Sequence, residues 1–321
     1  MSDVVVSVQQ GLGVIALNRP KALNALSVPM YLQIEEALEA WRADSSVQAV
    51  FIHSLCEKAF SAGGDVKGVV QSLLSDDYEQ AMHFFEVEYG VDMKLHSYPK
   101  PVLTFGHGYI FGGGLGVFQT GRYKLVAPSA VASMPEALIG FFPDVGSSFF
   151  LQKLPQQVRL LVALAGYRLN ADELVGYGLA DGVFGDSVQQ LISLISSNLS
   201  QQCGLIDGLE LDHGSQFKAI QGNHFQSLDE FGRWLDAQPG FEVEKQNYHS
   251  SSRLSLEATF QLFGENRVIS IDQAFELDRR LAEWFSKTAD FKAGVKAKLI
   301  DKVAVAEWPD KDRLFDFSAW V

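Results

Sequence analysis

Two acidic side chains lie close together in one apolar segment of this 321-residue chain. The segment PEALIGFFPDVG, residues 135–146, holds Glu136 and Asp144 among aliphatic and phenylalanine residues. Gly140 and Pro143 argue against one continuous helix between them, so a loop that folds back must bring the two carboxyl groups together. Apolar surroundings raise the pKa of a carboxyl group, which can then act as an acid or a base near neutral pH. We therefore predict that Glu136 and Asp144 carry out chemistry.

A structural interpretation of the same two residues stays open. Glu136 can begin a surface loop, and Asp144 can cap a helix that starts near Val145, because aspartate is a preferred N-cap residue. Capping and catalysis are compatible at one residue. This alternative weakens the assignment of Asp144 more than that of Glu136.

Two glycine clusters offer a second kind of chemistry. Gly63-Gly64-Asp65 and Gly112-Gly113-Gly114 each follow a strand pattern and precede a helical one, so each can present free backbone N–H groups. Two N–H groups that converge on one point form an oxyanion hole, which stabilises the negative charge that develops on a thioester oxygen during reaction. Tight turns explain one cluster alone. Two clusters at corresponding places in similar units favour the oxyanion hole.

A third acid interrupts an apolar helical stripe between residues 81 and 95. The positions that keep helical spacing are Ala81, Phe84, Phe85, Glu88, Val91 and Leu95. Glu88 thus occupies a place where an apolar residue is expected, and a buried carboxylate is costly unless it is paired or functional. Two interpretations stay open, a buried carboxylate that is paired or functional and a position at the edge of the stripe that reaches solvent.

The first 135 residues alternate between strand and helix patterns. A hairpin is predicted from residues 4–8 and 13–18, and strands over 49–55 and 101–110 each lead into a glycine cluster. Between them, Met30, Ile34, Leu38 and Trp41 show helical spacing after Ser27 as N-cap and Pro29 in the first turn. Further strands are predicted over 122–128 and 130–134. This alternation predicts an α/β fold with a mainly parallel sheet.

Helical signals dominate the later part of the chain. A helix is predicted over residues 146–165, and capping boxes at Ser227 to Glu230 and Ser270 to Gln273 each open a helical pattern. We predict a core domain over residues 1–200 and a helical C-terminal region over 201–321. The best candidate for the boundary is residues 201–216.

Composition limits the classes of function. A formal net charge of −13 argues against nucleic-acid binding, although an anionic small molecule needs only a local cluster of donors. No apolar run reaches the roughly 20 residues of a membrane span, and the first residues show no targeting pattern, so we expect no membrane partner and a cytoplasmic location. Cys56 and Cys203 show no metal-ligand spacing, so no metal site is predicted. Gly11-Leu12-Gly13 resembles a dinucleotide motif but lies in the hairpin, which excludes that assignment.

Four ordered motifs resemble the crotonase (enoyl-CoA hydratase/isomerase) superfamily. They are NRPKALNAL (18–26), KAFSAGGDVK (58–67), GYIFGGGLG (108–116) and MPEALIGFFPDVGSSFFL (134–151). Within that superfamily, PEALIGFFPDVG, FFEVEY and ADFKAGVKAKLIDK (289–302) look most like the 3-hydroxyisobutyryl-CoA hydrolase group. The resemblance covers most of the chain and implies a spiral of ββα units with a helical C-terminal region.

The resemblance also implies roles for single residues. Gly64 and Gly113 would supply the N–H groups of an oxyanion hole, Glu136 and Asp144 would be the catalytic acids, and Glu88 would contact the polar end of the acyl group. Coenzyme A would run over the loops near NRPKA and GGDVK as part of the substrate, so no separate cofactor is expected. The superfamily's hydratases carry a second glutamate two residues after the GGG cluster. This chain has Gly116 there, as the hydrolase group does, and it has Ser147 and Ser148 where hydrolases commonly have glycines.

The implied activity is hydrolysis of a short β-hydroxyacyl-CoA, with 3-hydroxyisobutyryl-CoA from valine breakdown as the expected substrate. Two alternatives remain. One is hydration or isomerisation of an enoyl-CoA on the same fold, which Gly116 disfavours. The other is a non-catalytic protein that binds acyl-CoA, RNA or a protein partner, and the acidic balance disfavours RNA. Relatives with this fold often form trimers, so a homo-oligomer is possible, although no sequence feature decides it.

Overall fold

A computed structural model describes residues 2–185, 187–220, 222–265, 268–313 and 315–316. Its strands are β1 (Val4–Gln9), β2 (Leu12–Leu17), β3 (Ala49–Ser54), β4 (Ala59–Ser61), β5 (Val102–Gly106), β6 (Tyr109–Phe111), β7 (Tyr123–Val126), β8 (Val131–Ser133), β9 (Leu169–Asn170) and β10 (Gly182–Val183). Its α-helices are α1 (Val28–Arg42), α2 (Val66–Leu74), α3 (Tyr78–His96), α4 (Gly113–Gln119), α5 (Ser147–Phe150), α6 (Gln156–Ala165), α7 (Ala171–Gly176), α8 (Val188–Ser200), α9 (Leu228–Ala237), α10 (Glu242–Ser250), α11 (Arg253–Phe263), α12 (Ile271–Ser286) and α13 (Ala289–Val295). None of the helices in these residues is long and apolar enough to cross a membrane.

Two sheets carry the strands. The larger has the order β1-β2-β3-β5-β7-β10, with β1 and β2 antiparallel and the other pairs parallel. The smaller has the order β4-β6-β8-β9. The predicted hairpin and the predicted mainly parallel sheet are both confirmed. Parallel neighbours require helical crossovers, which α1 and α4 supply after the hairpin and after the second glycine cluster.

Two compact units divide the chain, and each is interleaved in sequence with the other. Unit 1 contains residues 1–64, 87–132 and 169–219, and unit 2 contains residues 65–86, 133–168 and 220–321. The predicted division after residue 200 stays a prediction of domain organisation. In unit 1, apolar side chains of β2, β3, β5 and β7 pack with Leu191, Ile195 and Leu199 of α8 in one core cluster.

An aromatic cluster forms part of the core of unit 2. Phe141 lies at its centre, with ring centroids 4.7 Å from Phe142, 4.6 Å from Phe291, 5.4 Å from Phe85 and 5.6 Å from Phe285. Aromatic rings bury large apolar areas and prefer tilted or offset contacts at such distances. The cluster therefore fixes the middle of the predicted acidic segment against α12 and α13.

The structure corrects two predicted elements. The helix predicted over residues 146–165 is divided into α5, a 3-10 turn at Leu151–Lys153, and α6. Pro155 precedes α6 and has no N–H to continue the earlier helix. The strand predicted over 101–110 is also two strands, β5 and β6, because Gly108 turns the chain with a φ of 55°. A β-carbon at that glycine would overlap the Lys58 carbonyl group.

Three predicted N-caps differ in their hydrogen bonds. Ser270 and Gln273 form the complete capping box at the start of α12. Ser227 accepts a hydrogen bond from the Glu230 N–H, whereas Glu230 Oε2 accepts from the Gln226 N–H. Ser27 occupies the N-cap position of α1 without a side-chain cap bond. A serine at an N-cap position therefore does not by itself show that a cap bond forms.

Ser270→Ala should lower the free energy of unfolding by about 1 kcal/mol, because the Gln273 N–H loses its acceptor, the Ser270 hydroxyl oxygen. Ser27→Ala is the matched control and should have little effect. Urea denaturation followed by circular dichroism measures both. Equal destabilisation by the two substitutions would contradict the difference between these caps.

Candidate active site

Glu136 is a buried acid in unit 2. It opens a 3-10 turn, Glu136–Ile139, which ends at Gly140 in the left-handed conformation. Only 8% of the residue's surface is exposed. Its Oε2 atom is fully buried and has no hydrogen-bond partner among the described residues. An unsatisfied buried carboxyl oxygen is costly, and it marks a position where a ligand can supply the missing contact.

The surroundings of Glu136 change its protonation. Burial raises the pKa of Glu136 well above its usual range, and the nearby Asp144 carboxylate raises it further. Burial disfavours the charged form, and a like charge disfavours it again. The acid–base character predicted from the apolar segment therefore has a physical basis in the fold, since a carboxyl group with a raised pKa exchanges protons more readily near neutral pH.

A strained turn follows Asp144. Val145 has a φ of 52° and Gly146 a φ of 73°, so two consecutive residues adopt the left-handed conformation. This conformation is a genuine outlier for a β-branched residue such as valine. The N–H of Gly146 donates to Asp278 Oδ2 at 2.7 Å, and Asp278 is fully buried in α12. That contact helps to hold the turn that carries Asp144.

Asp144 is not the N-cap residue of α5. The N-cap is Gly146, and the backbone oxygen of Asp144 accepts a hydrogen bond from the Ser147 N–H at 2.9 Å. The structural alternative of a capping aspartate therefore does not describe this turn. Asp144 itself is 6% exposed.

A hydrogen-bonded support lies behind the Glu136 turn. The Ser252 N–H donates to the Ala137 carbonyl at 3.3 Å, and Ser252 Oγ donates to Asp290 Oδ2. Asp290 Oδ1 in turn accepts from the Asp310 N–H at 2.8 Å. Close backbone packing adds to this support, because a β-carbon on Gly294 would overlap the backbone of Ile139.

The two glycine clusters meet in unit 1. A β-carbon built on Gly113 would lie 3.1 Å from the Gly64 nitrogen, so the two backbones approach more closely than side chains allow. The N–H groups of Gly64 and Gly113 donate no hydrogen bond within the part of the chain described by the structure. The predicted pair of amides is thus brought together, with both donors available.

Glu88 lies beside the same glycines. It is 2% exposed in α3, which excludes the solvent-edge interpretation. The same β-carbon on Gly113 would overlap Glu88 Oε1 and would lie 3.4 Å from the Tyr31 hydroxyl oxygen. The Tyr31 hydroxyl donates to Glu88 Oε1 at 2.7 Å.

Asn24 organises the loop next to these glycines. Its side chain accepts from the Arg19 N–H at 2.7 Å and donates to Ser54 Oγ at 2.7 Å and to the Phe60 carbonyl at 2.9 Å. Ser61 Oγ donates to the Asn24 carbonyl and accepts from the Gly63 N–H at 3.1 Å. The NRPKALNAL loop is thereby tied to the strand that leads into Gly64.

The predicted site residues fall into two groups. Gly64, Glu88 and Gly113 are together in unit 1, and Glu136 and Asp144 are together in unit 2.

Sequence reasoning missed Tyr31 and Asp278. Tyr31 lies on the apolar stripe of α1, where an aromatic residue gives no polar signal. Asp278 interrupts the buried stripe of α12, a stripe that includes Ala274, Phe275, Leu281, Ala282 and Phe285. The same signal identified Glu88, so Asp278 could have been found from the sequence.

Comparison with known families shows which family the chain belongs to. The sequence matches the family model described as enoyl-CoA hydratase/isomerase over residues 12–314. The chain belongs to that family. The resemblance and the crotonase-like fold that it implies are both confirmed, and the protein is an enzyme of the crotonase family.

Two relatives are similar to this chain over most of its length. The mitochondrial 3-hydroxyisobutyryl-CoA hydrolase of Gallus gallus is 31% identical over 96% of this chain and 84% of its own length. The mitochondrial 3-hydroxyisobutyryl-CoA hydrolase of Xenopus tropicalis is 32% identical over 92% of this chain and 81% of its own length. The predicted cytoplasmic location is wrong by this comparison, because these relatives are named as mitochondrial. The prediction relied on the lack of a membrane-length apolar run and of a targeting pattern in the first residues, of which Val4–Gln9 form β1.

Two solved structures of related proteins show the same fold. An enoyl-CoA hydratase from Rhodobacter sphaeroides superimposes with a TM-score of 0.85 at 29% identity and covers 97% of this chain and 93% of its own. A carnitinyl-CoA dehydratase from Mycobacterium thermoresistibile superimposes with a TM-score of 0.86 at 25% identity. The match covers 98% of this chain and 94% of the dehydratase chain.

Glu136→Gln should stabilise the fold more at pH 8 than at pH 4. A carboxyl group with a raised pKa binds more protons when folded, so the free energy of unfolding falls as pH rises from the ordinary value of 4.5 toward the raised one. Glutamine does not ionise and avoids this loss. Thermal unfolding at both pH values measures the effect.

The exposed Glu36→Gln in α1 is the control and should shift the melting temperature equally at both pH values. An identical gain at pH 4 and pH 8 for Glu136→Gln would show that burial does not raise the pKa of Glu136.

Proposed function

We propose that this enzyme hydrolyses the thioester of a short β-hydroxyacyl-CoA, with 3-hydroxyisobutyryl-CoA as its substrate. The observation that carries the proposal is Glu136, a buried carboxyl group with an unsatisfied oxygen and a pKa raised beside Asp144. The names of the two relatives at 31% and 32% identity support the choice of reaction and of acyl group. Coenzyme A is part of the substrate, and the reaction would serve valine breakdown.

The proposed reaction begins at the thioester carbonyl group. Its oxygen accepts hydrogen bonds from the N–H groups of Gly64 and Gly113, which stabilise the negative charge of a tetrahedral adduct. Neither N–H has another acceptor in the described residues, which supports this role.

Glu136 can act in two ways. As a nucleophile, its carboxylate adds to the carbonyl carbon, the carbon–sulfur bond breaks, coenzyme A leaves as a thiolate, and water then hydrolyses the mixed anhydride. As a general base, it takes a proton from water, hydroxide adds to the carbonyl carbon, and the proton passes to the leaving thiolate. Asp144 orients Glu136 or carries that proton. A single turnover in isotopically labelled water separates the routes, because label in the Glu136 carboxylate excludes the purely general-base route.

A second candidate is hydration or isomerisation of an enoyl-CoA. It is favoured by the solved hydratase with a TM-score of 0.85 at 29% identity. Gly116 in α4 counts against it, because no side chain there can supply the second carboxylate that the family's hydratases use. Loss of the absorbance of a conjugated enoyl thioester without thiol release would favour this candidate over hydrolysis.

Glu136→Gln should lower kcat for thiol release from 3-hydroxyisobutyryl-CoA by about 10²–10⁴-fold, the range for loss of a positioned acid or base. A thiol reagent that absorbs on reaction with free coenzyme A measures the rate. Glu36→Gln is again the control and should retain full activity. Unchanged thiol release in Glu136→Gln would disprove the proposed role of Glu136, and no thiol release above background by the wild-type protein would favour a non-catalytic acyl-CoA binder.

Gly113→Ala should lower kcat for thiol release by about 10²-fold or more, the size reported for loss of one oxyanion donor. The added methyl group would overlap Glu88 Oε1 and displace the backbone N–H. Gly90→Ala in α3 is the matched control, because a β-carbon there meets no atom within 4 Å. Retained activity in Gly113→Ala with normal folding would remove Gly113 from the mechanism.

A further inference from the structure

We propose that Tyr31 is a specificity-determining residue that makes Glu88 select acyl groups with a β-hydroxyl group. The inference rests on the proposed function, because it assumes that the acyl group extends from the amides of Gly64 and Gly113. It assigns to Tyr31 a positioning role, since Tyr31 acts through the Glu88 carboxylate.

The geometry in unit 1 connects these groups. Tyr31 and Glu88 are both buried, at 0% and 2% exposure, and their hydrogen bond joins α1 to α3. Glu88 Oε1, the oxygen that accepts from Tyr31, lies against Gly113, and the Tyr31 hydroxyl lies on the same side of that glycine. A thioester oxygen held by the Gly113 N–H therefore has its acyl carbons close to this carboxylate.

The direction of the hydrogen bond determines which substituent fits. The Tyr31 hydroxyl donates to Glu88. The pair therefore presents hydrogen-bond acceptors to a substrate, on a carboxylate that is held in a fixed position. A carboxylate has about four acceptor positions, so it can accept from Tyr31 and from a substrate hydroxyl group together. A β-hydroxyl can donate there, whereas a β-methylene or a β-keto group cannot. The pair should therefore reject the last two.

The same bond explains why Tyr31 is needed. Glutamate has several rotatable bonds, and a hydrogen bond to one oxygen fixes the direction of the other. Removal of the tyrosine hydroxyl leaves Glu88 without this restraint, and a site that must hydrogen-bond a substrate hydroxyl loses its discrimination when the partner is no longer positioned. Tyr31 would thus affect hydroxylated acyl groups selectively.

The test measures binding without turnover. Isothermal titration calorimetry on the Glu136→Gln enzyme compares 3-hydroxybutyryl-CoA, acetoacetyl-CoA and butyryl-CoA with and without the additional substitution Tyr31→Phe. We expect the hydroxylated ligand to bind more tightly than the other two. Tyr31→Phe should reduce that preference by about tenfold or more, the size of one hydrogen bond to a charged group. Affinity for butyryl-CoA should change little.

Tyr98→Phe in the same background is the matched control. Its hydroxyl donates to the Leu38 carbonyl at the far end of α1, so the substitution also removes one buried hydroxyl that contacts this helix. It should leave the preference unchanged. If Tyr31→Phe weakens all three ligands equally, or leaves the preference intact, the inference is wrong.

The test of Tyr31 can succeed or fail independently of the test of the proposed hydrolysis. Thiol release by the wild-type enzyme tests hydrolysis, and the binding preference tests Tyr31. Failure of thiol release together with a preference that depends on Tyr31 would reject hydrolysis and retain the specificity role. Normal hydrolysis with a preference that survives Tyr31→Phe would reject only the role of Tyr31.

Discussion

The burial of the Glu136 carboxyl group beside Asp144 is the constraint on which the rest of unit 2 depends. A buried carboxylate without a full set of partners opposes folding, and a second carboxylate nearby increases the cost of ionisation. Such an arrangement persists only where neighbouring structure holds it in place. The contacts of Ser252 with Ala137 and of Asp278 with Gly146 provide that hold at the two ends of the acidic segment.

Unit 1 depends on a constraint of space instead of charge. At Gly113 the backbone, the Glu88 carboxylate and the Gly64 N–H are so close that a β-carbon does not fit. Neither amide has an acceptor in the part of the chain that the structure describes, and the buried Glu88 is stabilised by the Tyr31 hydroxyl. The two helices that supply this pair, α1 and α3, are thereby connected at the candidate site itself. The hydrogen bond that joins these two helices is therefore also part of the candidate site.

Much of the fold was predictable because local rules and tertiary packing agree. Gly140 and Pro143 argue against one continuous helix, and the structure has a short 3-10 turn that ends at Gly140 and an irregular stretch at Pro143. The break at Pro155 was missed although proline gives a direct signal, since the apolar spacing on both sides continues the helical pattern. Tyr31 could not have been singled out, because its partner Glu88 lies 57 residues away and the pairing exists only in three dimensions. The direction of the Glu136 pKa shift, upward, was predicted from its apolar neighbours in the sequence.

The proposed hydrolysis and the alternative hydration differ in how many protons the protein must place. Hydration of an enoyl thioester needs a base for water and an acid that delivers a proton to carbon, which is why two separate carboxyl groups are useful. Hydrolysis releases a thiolate, and a thiol with a pKa of about 8.5 leaves without strong help from an acid. One well-placed carboxylate and an oxyanion hole can therefore suffice for hydrolysis. Position 116 is glycine, and Glu136 with its neighbour Asp144 forms one acidic centre in unit 2. One acidic centre is enough for the proposed hydrolysis, whereas hydration uses two separate carboxyl groups.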